Sequence, residues 1–350
     1  MNHSLLSKLT IKHSLPAVML LLVSAFVLVN CSKAPSSINN TYTARLSSTL
    51  NTSSISATPL EQLKLIKPTT FSEDKITVSI VELAGLTHCK LNVLISEHNN
   101  QLGKTATAAS QLKYQINFIQ SADNCLNMLD DNTSTYKKIN DAKNQKQTHL
   151  MHYFNSMLFK EPELNRTWLL TSNELSTHPA GFSDTVEALT QLVTIKKHIK
   201  FQQFGEIKTD SVFNALEQLN KYRFNQALIQ SARQQIVLNQ SATQFVKKIS
   251  FDHICPTDKN KKEAKIMSNV FQKYYLTHIQ PYQAQLTGYL EVLQPLYNQL
   301  WFEETVTSKQ INNLLKEDSP NNLLNQLKNS AVDHVVWWQK FYKTCEISPI

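Results

Sequence analysis

Glycine is scarce in this chain, with five in 350 residues, at Gly85, Gly103, Gly181, Gly205 and Gly288, against a usual share of about 7%. No two stand close enough to build a phosphate-cradling loop, a dinucleotide-binding turn or a nucleophile elbow. The shortage also argues against a sandwich or barrel of many short strands, which needs turn residues at each connection. Metal-ligand spacings of the CxxC and HxxxH kind are absent, so no metal or other cofactor is expected. The formal charge is +8, but no dense Arg/Lys stripe accompanies it, and a nucleic-acid partner is not indicated.

What is present begins at the N-terminus. Lys8 and Lys12 precede an apolar run, Leu15 to Val29, which stops at Asn30-Cys31. That is the layout of a bacterial secretory signal with a cysteine at the cleavage point. The run is about fifteen residues, short of the roughly twenty that a spanning helix needs. Leu28-Val29-Asn30-Cys31 resembles a lipobox, with Asn30 where a small residue is usual, and Cys31 is the expected lipidation site. Two or three acyl chains on one cysteine give stable anchoring, where a single chain does not. Ser32 follows instead of the Asp that retains such proteins in the inner membrane. The expected location is therefore the outer membrane, lipid-anchored and facing the periplasm. Removing residues 1–30 takes away two lysines and no acids, leaving about +6.

The expected organisation is a signal peptide over 1–30, a lipidated cysteine with a flexible tether over 31–70, and a helical periplasmic body over 71–350. The tether reading rests on a polar stretch rich in Ser, Thr and Asn, punctuated by Pro35, Pro59 and Pro68. Beyond it, apolar residues recur at helical spacing. Ile80 to Ile95 reads as one helix, although Lys75 to Val81 alternates enough to fit a strand. Ala106 to Asp130 and Ser134 to Phe159 read as two more. Further helices follow, capped by Ser183 or Asp184 and by Thr209 or Asp210, the latter carrying apolar residues on to Ile236. Pro281 and Pro295 are expected to interrupt the run that reaches Trp301, and Asn321 to Cys345 forms the last helix. The fold class is mostly α, an irregular multi-helix body of about seven to nine helices behind the tether.

Four cysteines remain for the body: Cys89, Cys125, Cys255 and Cys345. In an oxidising envelope they allow three pairings. Cys89–Cys125 and Cys255–Cys345 are favoured, because each pair brackets one helical region and closes it locally.

Candidates for chemistry are few. His149 and His152 share a helix face but lack a third ligand at matching spacing. Asp252-His253 beside Cys255, and Asp333-His334 beside Trp337-Trp338, are adjacent in sequence, which is not adjacency in space. The aromatics crowding the C-terminal third fit helix packing better than a ligand groove.

One segment carries a family shape. Leu94 to Lys104 (LISEHNNQLGK), with Cys89 ahead and Ser110-Gln111-Leu112-Lys113-Tyr114 after it, resembles an uncharacterised proteobacterial lipoprotein family, domain of unknown function 3080. That family carries an ERNSSLG-like string between a first cysteine and a helix holding the second. Glu97, Asn99, Leu102 and Gly103 stand on the matching positions, while His98, Asn100 and Gln101 differ. A second block, Asn269 to Tyr275 with Gln280-Pro281-Tyr282, matches in part. The resemblance implies the lipoprotein address and the disulfide pairing, and brings no activity. Physically the first block reads as a helix end: Asn99 or Asn100 closes the helix, Gly103 turns left-handed and Leu102 packs back. Glu97 is then a partner for turn amides or a functional carboxylate. The functional expectation is a non-catalytic scaffold or binding protein with an envelope partner. The alternative is a cell-wall or lipid hydrolase with its site among Glu97, Asp252, His253 and His334, which requires those groups to converge in one cleft.

Overall fold

The computed structural model describes residues 34–69, 76–256 and 260–348, the side chains of Leu102 and Lys104 excepted. Cys31 lies outside the described residues. The longer helices are α1 (Ser37–Thr49), α2 (Lys90–Asn99), α3 (Ala108–Leu126), α4 (Ser134–Lys160) and α5 (Phe182–Lys200). They continue as α6 (Asp210–Tyr222), α7 (Phe224–Lys247), α8 (Lys262–Val270), α9 (Gln280–Trp301) and α10 (Leu323–Cys345). A π-helical stretch, Phe271–Ile279, joins α8 to α9. No strand occurs among the described residues, and 76–79 is extended without sheet pairing.

The N-terminal stretch departs most from expectation. Residues 31–70 read as a tether, yet Ser37–Thr49 is a helix whose Asn39, Tyr42 and Leu46 are buried. These three positions follow one another at a helical turn, Ile38 packs beside them, and most of the remaining positions are polar. Composition averaged over the segment hides so narrow a contact stripe. Residues 53–69 then run as an extended strap along the body. Ile66 N–H donates to Val306 O at 2.7 Å, Ser241 Oγ to Ile55 O at 2.7 Å, and Arg233 to Glu61 O at 2.6 Å. Leu63 is buried in the main core.

Three apolar clusters hold the body together. The main one draws on α3 through α7, α9 and the start of α10, with Trp168 edge-on to Trp301 at 5.5 Å. A second cluster packs α1 onto the end of α7, α8, the π stretch and the end of α10, and Cys255–Cys345 closes it. The third joins the outer face of α3 to α2 and the start of α4, stapled by Cys89–Cys125. Both disulfides pair as the local bracketing predicts, each with α-carbons 5.4 Å apart. In the third cluster, Ser79 and Glu82 form a capping box for the short helix Ile80–Ala84. Glu82 also accepts from Ser134 Oγ at 2.8 Å and Lys138 Nζ at 2.9 Å, tying that helix to the start of α4. The Ser79 amide first, and then Lys138, hold the Glu82 carboxyl down to about 2.

Several breaks fall where the sequence pattern runs on. The expected helix over Ile80 to Ile95 is two pieces, with Gly85 ending the first and Cys89 preceding the second. The pattern from Val212 to Ile236 is split at Arg223, which takes φ 52° between α6 and α7. Gly181, not Ser183 or Asp184, precedes α5; it has φ 91°, and the Tyr222 ring occupies the space a Cβ would need. Neither proline ends the helical run. Pro295 lies inside an unbroken α9, at an exposed position. Pro281 sits in the first turn of α9, where the register changes from π to α and a missing N–H is tolerated.

The placement of α1 has a direct consequence. Leu46→Ala should lower stability to chemical denaturation by about 2–5 kcal/mol, as for a fully buried leucine. An unchanged denaturation midpoint would return residues 37–49 to the status of a tether.

Candidate functional site

The most polar part of the interior lies where α1 meets α7, α10 and the π stretch. Helix α7 aligns Ser231, Gln235, Asn239 and Thr243 at four-residue intervals, all buried. Helix α10 sets Ser330, His334 and Trp338 opposite at the same interval. Asn39 on α1 and Gln235 exchange two amide hydrogen bonds at 3.2 and 3.1 Å. Gln283 Nε2 donates to Gln235 at 3.0 Å, and Tyr275 OH donates to Gln283 at 3.3 Å.

His334 is the centre of this seam. The Trp338 indole can only donate, and it reaches His334 Nε2 at 3.2 Å as well as Tyr42, so Nε2 is the accepting nitrogen and the direction of a short chain follows. Trp338 Nε1 donates to Tyr42 OH at 3.0 Å, and Tyr42 OH donates to His334 Nε2 at 2.8 Å. His334 Nδ1–H is then left to donate to Thr243 Oγ1 at 3.0 Å. The ring is fully buried, and desolvation lowers its pKa to about 3. Burial likewise pushes the Tyr42 and Tyr275 hydroxyls above their usual range. A neutral imidazole with both nitrogens engaged, out of reach of solvent, has no proton to exchange with a substrate. His334 is a packing residue.

The other carboxylate and histidine candidates do not gather around it. Asp333 is exposed although its neighbour His334 is buried, since consecutive positions on a helix are turned by about 100° and Asp333 lies beyond the edge of the buried stripe. Asp252 and His253 are exposed on the short helix Phe251–Ile254, which packs on α10. Glu97 is exposed on α2, which packs on α3. His149 and His152 sit on α4, and no group of three His, Cys, Asp or Glu side chains suited to a metal ion occurs among the described residues.

The motif block is a helix junction, with its parts distributed differently from the expectation. Asn99 is the last residue of α2, and Asn100 leaves the helix with an extended backbone. Asn100 Oδ1 accepts from the Gly103 N–H at 2.8 Å, opening the one-turn helix Gln101–Lys104. Gly103 is not left-handed; it is needed because a Cβ there would meet the carbonyl oxygens of Glu97 and His98. Leu102 belongs to that turn, and the packing expected of its side chain lies outside the described residues. Glu97 makes no side-chain hydrogen bond to another described residue, so the amide-capping part falls to Asn100. His98 stacks on Tyr114 with ring centres 3.8 Å apart, and Lys146 stands 5.1 Å from the same ring. Together with Asn99 they wall a pocket of about 400 Å³, in which His98, Tyr114 and Lys146 also make further contacts.

On the other side of α2, beside Cys89–Cys125, a groove of about 700 Å³ opens. Asn117, Gln120, Ser121 and Asn124 line it from one face of α3, and Val93 and Met128 flank it. Val93 and Met128 are 58% and 66% exposed. Gln120 is committed to the carbonyls of Phe204 and Ile207, both at 2.8 Å. His88 and Lys90 also line this groove, and no carboxylate does among the described residues.

A family described as "Protein of unknown function (DUF3080)" matches residues 39–349. The chain belongs to the DUF3080 family. The DUF3080 match takes in α1 from Asn39 onward, both disulfides, the motif junction and the His334 seam. The family's second block falls on the π stretch and the start of α9, which supply Tyr275, Tyr282 and Gln283. No curated protein and no solved structure matches the chain.

The seam went unseen in the sequence, although its signal is there: four small or amide side chains every fourth residue along α7. His334 gives this seam a measurable pH signature. Its folded pKa is depressed, so below about 6.5 the unfolded chain binds a proton that the folded chain refuses. Stability is therefore full above that pH and falls towards pH 3, by roughly 1.4 kcal/mol per pH unit for this one proton. His334→Gln should cost about 1–3 kcal/mol at neutral pH and flatten urea midpoints between pH 6.5 and about 4.5. Parallel pH profiles for the two proteins would contradict the assignment.

Proposed function

We propose that this protein is a lipid-anchored component of the bacterial envelope that faces the periplasm from the outer membrane and binds or supports another envelope component without catalysing a reaction. The address rests on the basic leader, the apolar run and Cys31 with Ser32 after it. Two disulfides suit an oxidising compartment.

The binding reading is carried by the groove beside Cys89–Cys125. Amides and a hydroxyl at Asn117, Ser121 and Asn124 follow helical spacing, between the exposed apolar edges Val93 and Met128. Such a surface offers donors and acceptors together with apolar contact, which suits a polypeptide segment. His88 and Lys90 are the titratable side chains along the groove, both exposed, and no described carboxylate stands beside them to complete an acid–base pair.

Two variants test the two halves of this reading. Cys31→Ala should leave an unprocessed precursor that incorporates no labelled fatty acid; normal processing and labelling would remove the anchor. Ser121→Arg places a long cation in the groove at a half-exposed helix position, where a surface substitution costs within about 0.5 kcal/mol. It should reproduce the defect caused by deleting the protein while thermal stability stays close to that of the parent. A fully functional Ser121→Arg protein would remove the groove as the binding surface.

A further inference from the structure

The short span between Cys31 and the first helix determines which face of the body meets the bilayer. This inference rests on the lipid anchor proposed above. Residues 32–36 are all that separates Cys31 from α1. Fully extended, they reach about 18 Å. A tether of the whole 31–70 segment would instead reach more than about 100 Å and leave the body free to turn. The end of the short span is pinned. Ser36 N–H donates to Glu174 Oε2 at 2.8 Å, and Ser36 Oγ–H donates to the other oxygen of the same carboxylate.

We infer that the surface around Glu174, made of the loop after Trp168 and the turn between α6 and α7, lies against the bilayer that holds the acyl chains. Its composition fits an interface between water and lipid. Leu169, Leu170 and Tyr222 are 39%, 37% and 38% exposed, and Lys221 stands 4.8 Å from the Tyr222 ring. Gln226 Nε2 donates to Leu169 O at 3.2 Å, joining α7 to the loop. Glu174, Tyr222, Arg223 and Gln226 line one concavity, so the loop and the turn form one surface. Lys221 and Arg223 share this surface with Glu174, so its charges are of both signs and the covalent anchor holds it to the bilayer. The groove beside Cys89–Cys125 lies away from it. Helix α6 runs from Asp210, which pairs with Lys113 of α3 at 2.8 Å, to Tyr222. Its 13 residues separate the two regions by about 20 Å. The anchor thus keeps the groove at a distance from the bilayer-facing surface.

The test uses the full-length, processed protein in vesicles of phosphatidylethanolamine and phosphatidylglycerol. A photoreactive side chain is placed at position 170 or at position 93, and the acyl content of Cys31 is measured on the same sample. Lipid adducts should form at 170 in roughly tenfold excess over 93, and a flexible Gly/Ser insertion of about twenty residues after Ser32 should abolish the bias. Acylated protein with equal adducts at both positions, or a bias that survives the insertion, overturns the orientation alone. Protein without acyl groups overturns the anchor and the orientation with it.

Discussion

The hydrogen-bonded chain from Trp338 through Tyr42 and His334 to Thr243 joins three helices that lie far apart in sequence. The Trp338 indole, the Tyr42 hydroxyl and His334 Nδ1–H each have an acceptor in it, which is the condition for burying such groups without a large desolvation penalty. Apolar contact through Tyr42, Leu46 and Leu50, with Ile38 alongside, holds α1 to its groove but is non-directional. The hydroxyl of Tyr42 has one place where it both accepts from an indole and donates to an imidazole. The register of α1 against the body therefore follows from that pair of bonds, reinforced by the reciprocal amides of Asn39 and Gln235.

The π-helical stretch belongs to the same arrangement. It brings Phe271, Tyr275 and Ile279 to the second core, with Phe271 stacked on Trp338 at 4.3 Å. These three follow at four-residue intervals, so they share one face of the stretch, the one turned to α1. Cys255–Cys345 then ties the loop before α8 to the end of α10, so the parts that receive α1 are themselves joined. The N-terminal helix docks onto a covalently closed frame, and whatever sits at Cys31 is linked to that frame through five residues.

Much of this was legible in the sequence where the period was long and unbroken. Helices α3, α4 and α10 stand close to their expected bounds because each carries an apolar stripe over five turns or more. The disulfide pairing was legible because each pair closes a local helical region. Two kinds of feature were not. A helix held by three side chains in thirteen residues, as α1 is, reads as polar linker in any average over composition. Breaks that depend on a distant neighbour, such as Gly181 beneath Tyr222 or Arg223 in a left-handed turn, leave no trace in local periodicity. The candidate chemistry failed for a related reason. Asp333 and His334 are consecutive, yet one meets water and the other the centre of the core. The groove beside Cys89–Cys125 needs α2 and α3 together, and its polar wall on α3 looks like an ordinary solvated face until α2 is set against it.

The account turns on α1 being part of the folded body and not a linker. Hydrogen exchange of the full-length, processed protein measures this most directly. Amides from Thr41 to Leu46 should be protected to a degree comparable with the second-core half of α7, since both would open only when the second core opens. Exchange over 41–46 at the rate of an unstructured chain, with α7 still protected, would contradict the account.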